Sequence, residues 1–465
     1  MKLIIIVCIA LLSLTHAVKK FEMDLEPVRS LQKSQDCFEG LSASDIVFQE
    51  DKKLGNKRFL KSITKDITNF KDLQYYGNLF IGPERQKMTF IYDTGSAWVW
   101  FPTSLCEACP TGNLYEINNV LDLPDNEKAR NREIQNAEVE VLVYGTGEVG
   151  GIRITEDVYI YSKGPEVVRN LVMLGIVLAN GIEGDVADGI LGLGPTQPED
   201  GRGNFVTALK EQGIIDYEMF SFDFKLQGNK SKMIFGDIDR ELVKNPRDFI
   251  WVPMKGQEDY WNLPLTGVYF GNQKALDDAK YAVIDTGSST LALSENNFLD
   301  LMENILDTGL DCGFFIEEKF VACICENGYN DFPDLTLSIH GHPFTLEPAD
   351  YIATEDNICV ILVYNLGDRV VIEEDTIVLG VNFLRKFYTV FDMEKSRIGI
   401  YEHSMPSYYA FIGGTPLSAL VIAFFFILMS VLFFMLKTKK DEGVESTSTS
   451  GGKMHNISAE IHNKD

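Results

Sequence analysis

The tetrapeptide Asp-Thr-Gly-Ser occurs twice, as Asp93-Thr94-Gly95-Ser96 and as Asp285-Thr286-Gly287-Ser288, and each copy directly follows an apolar run, 88–92 before the first and 281–284 before the second. Carboxylates on two equivalent turns, brought close together, cannot both ionise freely, because like charges push one pKa up and the other down. Such a pair holds one proton between two carboxyls. One member can act as a base on a bound water while the other, protonated, donates to a substrate carbonyl. Gly95 and Gly287 let the backbone turn so that each carboxylate faces its partner. The hydroxyls of Thr94, Ser96, Thr286 and Ser288 can fix the carboxylates by hydrogen bonds. A single Asp-Thr-Gly reads as an ordinary turn after a strand. Two copies with matching flanks read as the two halves of one site.

The elements that must position these turns follow in a definite order. Tyr76-Gly77-Asn78-Leu79-Phe80-Ile81-Gly82 precedes the first turn, and Ala97-Trp98-Val99-Trp100-Phe101-Pro102 continues from it. Then come Tyr144-Gly145-Thr146-Gly147, Ala187-Asp188-Gly189-Ile190-Leu191-Gly192-Leu193-Gly194, the second turn, Val378-Leu379-Gly380 and Phe387-Tyr388-Thr389-Val390-Phe391-Asp392. Through these stretches the chain resembles the pepsin and cathepsin D family of eukaryotic aspartic proteases, over residues 75–401. The resemblance implies an all-β-dominated, bilobal pepsin-like fold with a central cleft, in which Asp93 and Asp285 are the catalytic pair. It implies that Thr94 and Thr286 interlock the two turns from below, and that Ser96 and Ser288 brace the carboxylates. The apolar-apolar-Gly runs Ile190-Leu191-Gly192 and Val378-Leu379-Gly380 would be buried strands beneath each turn. Tyr144, Gly145 and Thr146 would form the tip of a flap, a β-hairpin closing over the bound peptide, and Trp100, seven residues after Asp93, would hydrogen-bond Tyr144. The partial alternation of residues 137–143 fits an exposed hairpin strand. Two departures from the family pattern stand out: Val381 where many members have Asp, and Glu148, which puts a carboxylate in the flap.

Of eight cysteines, Cys8 and Cys37 lie ahead of the protease region; Cys106, Cys109, Cys312, Cys323, Cys325 and Cys359 lie within it. An even number in a secreted chain reads as disulfides. Cys106-Glu107-Ala108-Cys109 also fits a redox or metal pair, but no second pair at zinc spacing and no adjacent His accompanies it. It falls just after the first turn, where the family often has a small disulfide loop. In the second lobe the resemblance implies that either Cys323 or Cys325 joins Cys359 and that the other joins Cys312.

The two ends carry the targeting signals. Met1-Lys2, the apolar run 3–14 and the small residue Ala17 compose a secretory signal over 1–17. Residues 417–436 are uncharged and long enough for one membrane crossing, and Lys437, Lys439 and Lys440 directly after them favour the cytosolic side. The expected organisation is therefore signal 1–17, propeptide 18–72, N-terminal lobe 73–228, C-terminal lobe 229–403, linker 404–416, transmembrane helix 417–436 and cytosolic tail 437–465. The propeptide follows from the family's habit of covering the cleft with a basic segment, for which Pro27, Arg29 and Lys33 offer a loose match. Asn229-Lys230-Ser231 is a glycosylation sequon on the luminal side.

A chain of 465 residues, 45% apolar, with 30 Phe and 18 Tyr, is an ordered protein with room for two cores. Its net charge of −26 argues against a nucleic-acid partner, which needs a basic face. The expected protein is a monomeric type I membrane protein of a lysosome, acidic vacuole or cell surface. Its expected activity is hydrolysis of peptide bonds in proteins or peptides, with neither cofactor nor metal. The competing expectation is an inert membrane-anchored peptide-binding protein of the same fold; such relatives typically lose an Asp or a Gly of one turn, and this chain retains both.

Overall fold

The computed structural model describes residues 49–50 and 59–402, apart from short internal stretches of which 118–138 is the longest. The expected signal, linker, transmembrane helix and tail, and most of 18–72, lie outside the described residues. Among the described residues no helix is long and apolar enough to cross a membrane.

Strand-forming patterns dominate. Ile63–Phe70 (β1), Gln74–Ile81 (β2), Gln86–Asp93 (β3) and Val99–Pro102 (β4) open the fold. Val139–Val143 (β5), Glu148–Tyr159 (β6), Val167–Asn180 (β7), Gly189–Gly192 (β8), Met219–Asp223 (β9), Ser231–Phe235 (β10) and Ile250–Pro253 (β11) follow. The second half contributes Asn262–Phe270 (β12), Tyr281–Ile284 (β13), Leu291–Leu293 (β14), Leu335–Ile339 (β15), His342–Leu346 (β16), Val363–Asn365 (β17) and Thr376–Leu379 (β18). Phe387–Asp392 (β19) and Arg397–Glu402 (β20) close it. β2 shows the physical rule in pure form: every second residue, Tyr75, Gly77, Leu79 and Ile81, is buried, because side chains alternate across a strand. β4, β8 and β19 are buried at every position, as strands covered on both faces must be.

The largest sheet has thirteen strands in the order β11-β20-β19-β9-β10-β1-β2-β3-β8-β4-β7-β6-β5. The other large sheet runs β16-β15-β12-β13-β18-β14-β17. One pairing scheme occurs in both. β3 pairs parallel with β8, β8 antiparallel with β4, and β4 parallel with β7; β13 pairs parallel with β18, β18 antiparallel with β14, and β14 parallel with β17. Each Asp-Thr-Gly-Ser turn thus leaves an equivalent strand on an equivalent support. The result is mostly β, consistent with a bilobal pepsin-like fold.

Two boundaries drawn from sequence cut through paired elements. The segment 18–72 is not set apart as a whole, because β1 lies within it and pairs with β10 on one side and β2 on the other, burying Ile63 and Ile67. The division at 228/229 falls between β9 and β10, which pair with each other along their length. Polar turn residues mark where a chain reverses, and they mark a hairpin and a lobe boundary alike.

A small sheet of Asp311–Phe315, Phe320–Ile324, Ile358–Ile361 and Ile352–Glu355 holds Cys312, Cys323 and Cys359, and Cys325 directly follows its second strand. Cys323 stands directly opposite both Cys312 and Cys359 in the strand register, which is why spacing left the partners of Cys359 open. Among the described residues the disulfides are Cys312–Cys323, Cys325–Cys359 and Cys106–Cys109.

Candidate active site

The two turns meet at their tips. Thr94 N–H donates to Thr286 Oγ1 at 3.0 Å and Thr286 N–H to Thr94 Oγ1 at 2.9 Å. Each hydroxyl donates in turn to the opposite strand, Thr94 Oγ1 to the Ile284 carbonyl at 2.7 Å and Thr286 Oγ1 to the Tyr92 carbonyl at 2.5 Å. Both threonines are buried, so all four bonds form away from water, where an unmade bond is costly.

Above this lattice the carboxyls face each other. Asp93 accepts from Gly95 N–H at 2.8 Å and from the Ser96 hydroxyl at 2.5 Å; Asp285 accepts from Gly287 N–H at 2.8 Å and from the Ser288 hydroxyl at 2.6 Å. The glycines are required by space. A Cβ on Gly95 would lie 2.7 Å from Cγ of Asp285, and one on Gly287 would run into Asp93. Beneath the turns, Leu193 N–H donates to the Asp93 carbonyl at 2.7 Å, and Asp285 N–H donates to the Leu379 carbonyl at 3.0 Å. Gly192 and Gly380 press against the backbone that leaves each turn: a Cβ on Gly192 would lie 2.5 Å from the Ala97 carbonyl carbon, and one on Gly380 would lie 2.5 Å from the Ser288 carbonyl oxygen.

The environment is not symmetric. Asp93 is 5% exposed, whereas Asp285 is half-buried. Burial pushes the Asp93 carboxyl well above the usual carboxylate range, and the Asp285 charge pushes it further; the bonds from Ser96 and Gly95 pull the other way. Two carboxyls so coupled can share one proton, the requirement for acid and base to act together on one water and one carbonyl.

The hairpin of β5 and β6 turns at Tyr144, whose N–H donates to the Gly147 carbonyl at 2.7 Å. Trp100 Nε1 donates to the Tyr144 hydroxyl at 2.7 Å, the contact expected between these two. Gly145 and Thr146 lie outside the described residues. Glu148 is exposed at the start of β6, and along β5 the outward residues are the apolar Val139, Val141 and Val143. Val381 is buried in the main core, which draws on both halves of the chain. Asn229 is exposed in the β9–β10 connection.

Three contributors were not singled out from sequence. Tyr260 has its hydroxyl pKa raised by burial and then by the carboxylates of Asp259, Asp285 and Asp93, so it senses the charge of the pair. Its neighbour Trp261 is fully buried and donates from Nε1 to the Leu193 carbonyl at 2.7 Å, tying the start of β12 to the support of the first turn. Asp188 accepts from Thr89 N–H, the Thr89 and Thr111 hydroxyls and Asn113 Nδ2 at 2.7–2.8 Å, locking β8 to β3. The adjacent aromatics Tyr260-Trp261 at the head of a strand were the available signal for the first two; for Asp188 the bonds are long-range and leave no local pattern. Among the described residues no group of three or more His, Cys, Asp or Glu is arranged to hold a metal ion.

Comparison with known proteins agrees with this geometry. The family described as Eukaryotic aspartyl protease matches residues 74–403. Pepsin A of Gallus gallus is 28% identical over 342 residues, covering 72% of this chain and 85% of the relative. Renin of Ovis aries is 27% identical over 354 residues, covering 72% and 81%, and gastricsin of Mus musculus 26% identical over 355 residues, covering 73% and 83%.

Proposed function

The chain belongs to the eukaryotic aspartyl protease family, whose members are aspartic-type endopeptidases, and from that premise we propose that it is made as a zymogen, anchored in a membrane by residues 417–436, and works in an acidic luminal or extracellular space. Asp93 and Asp285 hold a water between them. The ionised member takes a proton from that water as its oxygen attacks the scissile carbonyl, while the protonated member donates to the carbonyl oxygen. The tetrahedral intermediate collapses as the amine leaves with a proton from the pair. Thr94, Gly95, Ser96, Thr286, Gly287 and Ser288 hold this arrangement, and Tyr144 with Trp100 closes the flap over an extended peptide. Asn229 is the site of glycosylation.

The observation that carries the reading is the reciprocal interlock of the two Asp-Thr-Gly-Ser turns, with the carboxyls face to face. A membrane-inserted, full-length enzyme incubated with an unbiased peptide library from pH 3 to 8 is expected to cleave at acid pH. Asp93→Asn and Asp285→Asn should each reduce kcat by roughly two to four orders of magnitude, the usual worth of general acid–base catalysis. Peptide binding without cleavage at any pH, after removal of the N-terminal segment, would instead establish an inert binding protein of the same fold.

A further inference from the structure

Two tryptophans follow the first turn, and each holds the β5–β6 hairpin at a different height. Trp100 donates to Tyr144 at the tip. Trp98, 8% exposed, lies under the guanidinium of Arg153, whose Cζ is 5.4 Å from the indole ring centroid. Arg153 stands farther down β6, and its Nη2 also reaches Glu140 Oε2 on β5 at 3.0 Å. It therefore joins both strands of the hairpin to the segment that leaves the Asp93 turn.

Between these two holds the strand pairing changes register. Gly150 pairs with Leu178 but Gly151 pairs with Ile176, so Val177 of β7 is skipped. Such a bulge interrupts the ladder and lets the strands bend. The strands also pack closely at this point: a Cβ on Gly151 would lie 2.9 Å from Ile176 Cδ1 and 3.0 Å from Leu174 Cβ. The hairpin is thus divided into a tip, which carries Tyr144, and a stem, which Arg153 fixes to Trp98.

We infer that Arg153 is a positioning residue for peptide hydrolysis: set over Trp98 and paired with Glu140, it pins the stem so that the flap bends at Gly150-Gly151 and returns Tyr144 to one place over the aspartate pair. The inference rests on reading this hairpin as the flap. The ion pair alone is too exposed to do this, since solvent screens half-exposed charges. A planar guanidinium on a nearly buried indole adds a contact that water does not compete with as well. A lysine at this position would retain the charge and lose the planar, delocalised cation.

The test measures kcat and KM of the full-length enzyme on one cleaved peptide for Arg153→Met, Arg153→Lys, Trp98→Leu, the double variant Arg153→Met/Trp98→Leu, and Tyr144→Ala. Arg153→Met and Trp98→Leu are each expected to raise KM roughly two- to fivefold with kcat little changed, the worth of a partly exposed cation–π contact. Arg153→Lys should recover part of the loss, and the double variant should be no worse than the poorer single one. Unchanged KM in Arg153→Met, or losses that multiply in the double variant, would overturn the role of Arg153. Tyr144→Ala separates the two levels: if it raises KM while Arg153→Met does not, only the pinning fails, and if it too leaves KM unchanged, the flap reading itself fails.

Discussion

Asp93 and Asp285 sit in identical tetrapeptides, yet burial treats them differently, and the difference has a thermodynamic consequence. The Asp93 carboxyl is pushed up first by desolvation and then by its partner's charge. In the folded chain it therefore holds its proton more tightly than in the unfolded chain, where an aspartate titrates near about 4. Folding stability linked to this group is fully present below that value and is lost as pH rises through the raised folded value. Asp93→Asn carries no charge at any pH and should flatten the decline. Urea unfolding of both proteins between pH 4 and pH 7 checks this: the wild type should lose stability relative to Asp93→Asn as pH rises, and parallel curves would show that burial does not hold the proton. The same site that favours acid–base catalysis thus makes the fold prefer acid.

The turns are held by their strands and by each other. Thr94 supplies one acceptor and one donor to the lattice, so Thr94→Val, similar in shape, leaves the Thr286 N–H and the Ile284 carbonyl without partners in a dry environment. Each orphaned group costs about 1–3 kcal/mol. Thermal unfolding should therefore show a loss of about 2 kcal/mol or more for Thr94→Val and a much smaller one for Thr94→Ser. Equal melting temperatures for all three proteins would mean that the interlock is decorative. The equivalent pairing of β3 with β8 and of β13 with β18 explains why the lattice is symmetric: both turns are delivered by a strand running parallel to an apolar-apolar-Gly strand. Where a glycine presses on the neighbouring backbone, as Gly192 and Gly380 do, no larger residue can stand.

Across the whole molecule, the largest sheet joins strands from both ends of the described chain, since β1 lies between β10 and β2 while β19 and β20 lie beyond β9. Trp261 adds a second tie, packing edge-on against Phe220 and Phe391 while bonding Leu193. In the activation proposed above, removal of an N-terminal segment must therefore stop short of β1. A chain beginning at Phe59 is expected to fold and unfold cooperatively. One beginning at Leu73 strips β1 away, uncovers the edges of β10 and β2, and should aggregate, because unpaired strand edges recruit one another. Sedimentation and circular dichroism of the two chains distinguish these outcomes; a soluble, cooperatively folded chain from Leu73 would show that β1 is dispensable.

The chemistry of the site was legible in the sequence because it is written locally. Asp-Thr-Gly-Ser needs its carboxylate, glycine and hydroxyls within four consecutive residues, and two copies declare a pair. The Trp100–Tyr144 contact, the supporting strands and the strand-rich fold were legible through the resemblance. What only the tertiary structure decided depends on residues far apart in the chain. The asymmetry of the two aspartates comes from packing around identical turns. The choice of Cys325 over Cys323 for Cys359 comes from side-chain placement within a register that puts Cys323 next to both alternatives. The place of β1 in the sheet comes from partners more than a hundred residues away, and a strand that ends in a turn looks the same from sequence whether it leads into a fold or belongs to it.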